Sequence, residues 1–186
     1  NKKYFWMGLF VILAFELQSA YNNWQSSKQQ KLIVYNVPQH QAIDLVSGNS
    51  YKFIGDSILQ KEGLLQNFHL KPGRIAQQLN NRTDSLAEVF QQGIFYQFSN
   101  KRIAIIDRPL TAAPLQQKIN LDLLIISKNP KLSVSQLTAV FNCKQFVFDA
   151  SNAGWKIEKW TAECKALHVN FYPIPVKGAF IYDTGM

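Results

Sequence analysis

The stretch from Leu121 to Asp183 constrains this chain more than any other. It contains LDLLIISKNP, FVFDASNAGWKIEKW and LHVNFYPIPVKGAFIYD in that order. Leu121 to Ile126 is an almost unbroken apolar run, the pattern of a strand buried on both faces. Ser133 is a good N-cap for a helix carrying Leu137, Val140 and Phe141 on one face. Gln145 to Phe148 is a second strand. Trp155 to Leu167 follows as a helix, with Trp155, Ile157, Trp160, Cys164 and Leu167 apolar and a lysine-rich face exposed. Val169 to Tyr172 and Gly178 to Tyr182 close the series as strands. Strands alternating with helices in this way form a sheet covered by helices.

The preceding part is richer in hairpins. Leu32 to Val37 is β-branched and aromatic and stops at Pro38, as a strand does. Ala42 to Val46 and Tyr51 to Ile54 flank Ser47-Gly48-Asn49-Ser50, a hairpin turn. From Gly55 to Gly93 the pattern weakens. There Phe68-His69-Leu70 before Lys71-Pro72-Gly73 fits a strand and turn, and Ser85 to Gln91 fits a short helix or strand. Ile94 to Phe98 and Arg102 to Ile106 form a second hairpin around Ser99-Asn100-Lys101. The expected fold class is α/β, a mixed sheet with covering helices.

Ahead of this unit lies YFWMGLFVILAF, Tyr4 to Phe15, without a charge. Lys2 and Lys3 precede it; Tyr21 and Trp24 follow. Aromatics at both ends and lysines outside suit the two membrane–water interfaces. Tyr4 to Trp24 is about the 20 residues a spanning helix needs. Glu16 counts against a span, since a carboxylate within the hydrocarbon costs about 2.5–3.5 kcal/mol. A secretory signal has the same order of charge and apolar stretch, with Gln18-Ser19-Ala20 its best cleavage site. A buried globular helix is the third reading. The aromatic flanks favour the span, so the expected organisation is a transmembrane helix over 1–25, a polar linker over 26–31 and a domain over 32–186. The chain opens on Asn, and it is expected to be the C-terminal piece of a larger protein.

Lys and Arg number 20 against 12 Asp and Glu, a formal net charge of +8. Such an excess favours polyanions, nucleic acid or anionic lipid, although the lysines are spread along the chain as on a solvated surface. With 47% hydrophobic residues the chain is not wholly disordered. Cys143 and Cys164 are too few for a disulfide scaffold and lack zinc-site spacing; one bridge between them stays open.

Four segments covering about half the chain carry a family resemblance. Val34-Tyr35-Asn36-Val37-Pro38-Gln39-His40-Gln41-Ala42 stands where the family has F-L-D-V-G-Q-G-D-A, and YKFIGD, Tyr51 to Asp56, where it has a strand ending L-I-D-x-G. RIAIID, Arg102 to Asp107, is similar to a family strand that ends in a bridging aspartate. Phe146 to Asp149, the loop through Gly154, the next helix and Gly178-Ala179-Phe180 match the closing elements. The chain thereby resembles the metallo-β-lactamase-like C-terminal domain of the ComEC competence proteins, the channel subunits of bacterial DNA uptake. It departs from them where their metal ligands lie. No HxHxDH occurs, and HHGS is replaced by Lys128-Asn129-Pro130-Lys131 after Ser127.

The resemblance implies a truncated, degenerate metallo-β-lactamase-like sandwich after a transmembrane helix, integral to the bacterial inner membrane. It implies single-stranded DNA, the bilayer and other segments of the same channel protein as partners, with a homo-oligomer as a further expectation. A two-metal hydrolase of this type needs about five His and two Asp ligands. The chain has 3 histidines, His40, His69 and His168, far apart in sequence, and Asp107 is the only residual ligand-like position. No enzyme activity, catalytic residue, metal or other cofactor is therefore expected. Asp149, Ser151 and Asn152 fit turn chemistry after a strand. Lys128 and Lys131 occupy the loop where active relatives hold metal, so they could attract phosphate without hydrolysing it; Lys156 and Lys159 lie one helical turn apart nearby. Trp155 could stack a base, but its apolar neighbours along the helix favour a core position. The enzyme alternative is a metal-dependent nuclease or phosphodiesterase in which His40, His69, Asp56 and Asp107 converge. Another is a membrane-anchored binding module unrelated to DNA.

Overall fold

Alternating burial along the strands builds this protein in layers. Its structure, a computed structural model, describes residues 2–110 and 117–185. The first elements are α1 (Lys2–Ser27), β1 (Gln30–Val34), β2 (Ala42–Ser47) and β3 (Ser50–Gly55). A helical stretch follows: a 3₁₀ turn at Ser57–Gln60, a π-turn at Gln66–Leu70 and α2 (Lys71–Ala76). Then come β4 (Asn81–Arg82), β5 (Val89–Gln92), β6 (Phe95–Phe98), β7 (Lys101–Ile106) and β8 (Ile119–Ile126). The chain closes with α3 (Val134–Val140), β9 (Phe141–Phe148), α4 (Gly154–Ala166), β10 (Phe171–Pro173), α5 (Ile174–Lys177) and β11 (Phe180–Asp183).

Two sheets result. The first runs β11-β1-β2-β3-β4, antiparallel except for the short β3–β4 pair; the second runs β10-β9-β8-β7-β6-β5. In the second sheet β10, β9, β8 and β7 are parallel and the β5–β6–β7 meander is antiparallel. Leu32, Val34, Ile43 and Leu45 meet Phe98, Ile103, Ile105, Leu123, Ile125 and Val147 between the sheets. Their strand neighbours point the other way. Ile33, Tyr35, Val37 and Val46 pack under the helical stretch 57–76 through Leu59 and Leu70. Ala104, Ile106, Leu124, Ile126, Phe146 and Phe148 pack under α3 and α4 through Leu137, Ile157, Trp160 and Cys164. Each large apolar side chain taken out of water in this way contributes about 1.5–3 kcal/mol. The molecule is a mixed α/β sandwich with a helical layer on each outer face.

Several local signals behave as the sequence predicts. Ser133 closes a capping box with Gln136, accepting its N–H at 3.3 Å while Ser133 N donates to Gln136 Oε1 at 3.0 Å. Elsewhere packing overrules local pattern. Phe68-His69-Leu70 is not a strand; it lies in the π-turn that runs directly into α2. Pro72 lies at the junction of this π-turn with α2, where the local irregularity accommodates a residue without an N–H. Phe141 starts β9 rather than ending α3, and the two closing strands part company: β10 joins the second sheet and β11 the first. Cys143 and Cys164 are separate free thiols. α1 has no buried side chain, and its length and composition suffice to cross a membrane.

Candidate functional site

Parallel neighbours β8 and β9 end at the same edge of the second sheet, so the segments following them meet there. Asp149, the residue after β9, is fully buried at the centre. Its carboxylate accepts the Ser127 hydroxyl at 2.6 Å, the Ser151 amide at 3.0 Å, the Ser151 hydroxyl at 2.5 Å and Asn152 Nδ2 at 3.0 Å. Burial pushes this carboxyl up to about 6, and the bonds from Ser127 and Ser151 limit the rise. Asn152 Nδ2 also reaches Ile126 O at 2.6 Å, fastening the two strand ends together.

The segment after β8 turns on two consecutive left-handed residues, Lys128 (φ 59°) and Asn129 (φ 56°). Asn adopts this region readily; Lys is less common there and is held by its surroundings. Lys128 N donates to Ser151 Oγ at 2.7 Å, and Asn129 N to Asn152 Oδ1 at 3.0 Å. Lys156 from α4 donates through Nζ to Asn129 O at 2.5 Å and Pro130 O at 3.3 Å. The turn is thus a rigid consequence of the Asp149 network.

The first sheet contributes Asp56, just past β3. Gly55 must be glycine because a Cβ there would collide with Gln41 O. That close approach lets Asp56 accept from Gln41 N at 3.1 Å and contact His40 Nδ1 at 3.1 Å. Lys128 Nζ reaches the same carboxylate from the opposite sheet, 3.1 Å from Oδ1. Partial burial pushes the Asp56 carboxyl up, but the bonds from Lys128, His40 and Gln41 outweigh it and hold it below the usual range. A second tie crosses the same mouth, from Gln39 N to Ala150 O at 2.9 Å.

The candidate DNA-contact residues fall into two places. Lys131, Lys156, Lys159 and Trp155 line one open groove of about 390 Å³ between α3 and α4, together with Ser133, Gln136 and Trp160. Lys128 is apart from them, committed to Asp56. Trp155 is 65% exposed and Trp160 1%, so the core reading of Trp155 gives way. At 100° per residue Ile157, Trp160 and Cys164 lie roughly 140–200° round the helix from Trp155, and only one of those faces can meet the sheet.

The metal that the family resemblance implies does not fit the residues at this rim. Asp56 and His40 pair there, and an ammonium shares their carboxylate. Asp107, past the end of β7, pairs with Arg108 Nε at 3.2 Å. His69 lies in the helical layer on the first sheet and His168 is exposed after α4. Among the described residues no three His, Cys, Asp or Glu side chains could share a metal ion. Sequence reasoning missed the Asp149 network's reach. Asp149-x-Ser151-Asn152 signals a turn, but nothing local marks Ser127 as its partner from a neighbouring strand.

The architecture defines a two-sheet α/β sandwich whose mouth is tied by a cation–carboxylate pair, preceded by a helix of membrane-spanning length. The family model described as the ComEC C-terminal domain matches residues 32–184, and the chain belongs to that family. It is a family of membrane-associated competence proteins of DNA uptake. No curated protein and no solved structure matches the chain.

Proposed function

We propose that this chain is the last transmembrane helix and a non-catalytic C-terminal domain of an inner-membrane channel protein that takes up single-stranded DNA in natural transformation. The expected linker over 26–31 shortens to Lys28 and Gln29, because α1 runs to Ser27 and β1 begins at Gln30; the spanning helix is α1 and a degenerate metallo-β-lactamase-type domain follows it. One observation carries the non-catalytic reading. At the loop that replaces HHGS, the chain sets the Lys128 ammonium on Asp56 in place of metal donors. Lys128 and Asp56 then neutralise each other at the mouth, and among the described residues no three His, Cys, Asp or Glu side chains could share a metal ion. The net charge of +8 and the groove of Lys131, Lys156, Lys159 and Trp155 support contact with a backbone rather than with particular bases.

The test uses the whole chain in detergent micelles with end-labelled single-stranded DNA, with and without Mn²⁺ or Zn²⁺. Intact DNA that is nonetheless bound, with affinity falling as salt rises, is the expected result. Metal-dependent cutting abolished by Asp107→Ala would establish a nuclease with non-standard ligands. Neither binding nor cutting would leave a membrane-anchored module unrelated to DNA.

A further inference from the structure

The helical stretch over the first sheet carries large apolar residues on its outward side. Inward, Leu59, Leu70 and Arg74 are buried against the sheet. Outward, where a surface helix is ordinarily polar, Leu64, Phe68 and Ile75 are 74%, 73% and 71% exposed. Spacings of four and seven put the three on one face. Ile58 is exposed close to them in sequence, as are Lys61, Glu62 and Lys71.

This face begins where α1 leaves off. Gln77, just past α2, accepts Gln29 Nε2 on its carbonyl at 2.7 Å and Lys31 Nζ on its side chain at 2.8 Å. Gln25, Ser26 and Lys28 line one recess with Ala76 and Gln77. The Lys28 ammonium lies 3.9 Å from the centre of the Trp24 ring. A Trp and a Lys at the end of a spanning helix mark the headgroup level, and Ile75 precedes Gln77 by two residues.

We propose that this face rests in the headgroup layer of the bilayer that α1 crosses. Leu64, Phe68 and Ile75 enter the acyl boundary while Lys61 and Lys71 meet anionic headgroups. The proposal rests on reading α1 as a spanning helix. An apolar face of this size binds a membrane only weakly on its own. Here α1 already holds it at the surface, so the second contact is intramolecular and needs little affinity. Two points of attachment fix the tilt of the sandwich against the bilayer, which a single helix and short linker would leave free.

The test places an environment-sensitive dye on single introduced cysteines in the whole chain, reconstituted into nanodiscs of phosphatidylcholine and phosphatidylglycerol. The sites are Phe68→Cys, Phe10→Cys within α1 and Glu158→Cys on α4, in the opposite outer layer. Burial pushes the native Cys143 and Cys164 thiols up to about 12, so they label slowly. Lipids with a nitroxide near the headgroup should quench the dye at 68 roughly threefold more than at 158, and aqueous iodide should do the reverse. A dye at 68 behaving like that at 158, with 10 quenched by lipid, would overturn the proposal and leave the span intact. Protection of 68 from both quenchers would also overturn it, because protein would then cover the face. A dye at 10 that lipid does not quench would remove the spanning reading, and the proposal with it.

Discussion

Lys128 Nζ lies 3.1 Å from Asp56 Oδ1, joining the segment after β8 to the end of β3 across the mouth of the sandwich. Both side chains are partly exposed, and pairs of this kind stabilise a fold by only about 0–1 kcal/mol. Their larger consequence is electrostatic: the cation best placed to meet a phosphate is already neutralised. Asp56→Asn should therefore free it. Affinity for single-stranded DNA should rise several-fold at low salt, and the salt slope should steepen by about 0.7 for the released charge. Fluorescence anisotropy across a salt series measures both. Unchanged binding would place the nucleic acid away from this mouth.

Asp149 makes stability depend on pH. Its carboxyl ionises near 3.8 in an unfolded chain and at about 6 in the fold, where burial is the main cause. Between those values the folded state holds more protons. The contribution is fully present below pH 3.8, is lost as pH rises through about 6, and amounts to on the order of 2–3 kcal/mol. Asp149→Asn should flatten this part of the profile relative to the parent and gain stability at neutral pH. Its amide oxygen can keep the Ser151 and Asn152 donors while the Ser127 hydroxyl turns to accept. Asp149→Ala, which strands those donors, should lose about 2–4 kcal/mol instead. Thermal melts from pH 4 to 8 separate the two.

Arg74 holds a second buried charge. Its guanidinium bonds Asp44 at 2.8 and 3.0 Å, and the Tyr35 hydroxyl donates to the same carboxylate at 2.9 Å. Burial pushes the Asp44 carboxyl up even with these partners present. Arg74→Met should cost about 3–5 kcal/mol at neutral pH by leaving that carboxylate unpaired. Part of the loss should return on acidification, as Asp44 takes a proton. Pairing the change with Asp44→Leu should recover most of it at every pH. Denaturant titrations at two pH values decide the matter; a loss in Arg74→Met that ignores pH would mean packing, not charge, is what Arg74 supplies.

These residues also show how far the sequence could be read. The apolar run of β8, the Ser133 cap and the hairpin around Gly48 are local signals, and each forms what it predicts. Arg74 could not be read so. Lys71-Pro72-Gly73-Arg74 has the composition of a turn, and the carboxylate that draws Arg74 inward is thirty residues earlier, within the otherwise apolar Ala42-Ile43-Asp44-Leu45-Val46. The mouth divides in the same way. Asp149 to Asn152 announces a turn by itself, whereas the Lys128–Asp56 pair needs two sheets to be stacked before it exists. Trp155 is a simpler case. Its apolar neighbours along α4 suggest a core position only until they are set on the helical circle, where Trp155 falls on the far side from them.

Because Trp155 is exposed and Trp160 is not, the two tryptophans of α4 should respond oppositely to truncation. Trp155→Ala should leave the melting temperature nearly unchanged, since little of the ring is packed. If a base stacks on it in the Lys131–Lys159 groove, the same change should weaken single-stranded DNA binding by about 1–3 kcal/mol, roughly 5- to 150-fold. Trp160→Ala should cost about 3–5 kcal/mol of stability, because it removes the ring that packs on Phe148 and breaks the bond to Leu132 O at 3.2 Å. Lys131→Gln with Lys159→Gln should lower the salt slope by roughly 1.4, about 0.7 for each phosphate that is no longer neutralised. A Trp155→Ala protein that melts normally and binds DNA like the parent would move the binding surface off α4 altogether.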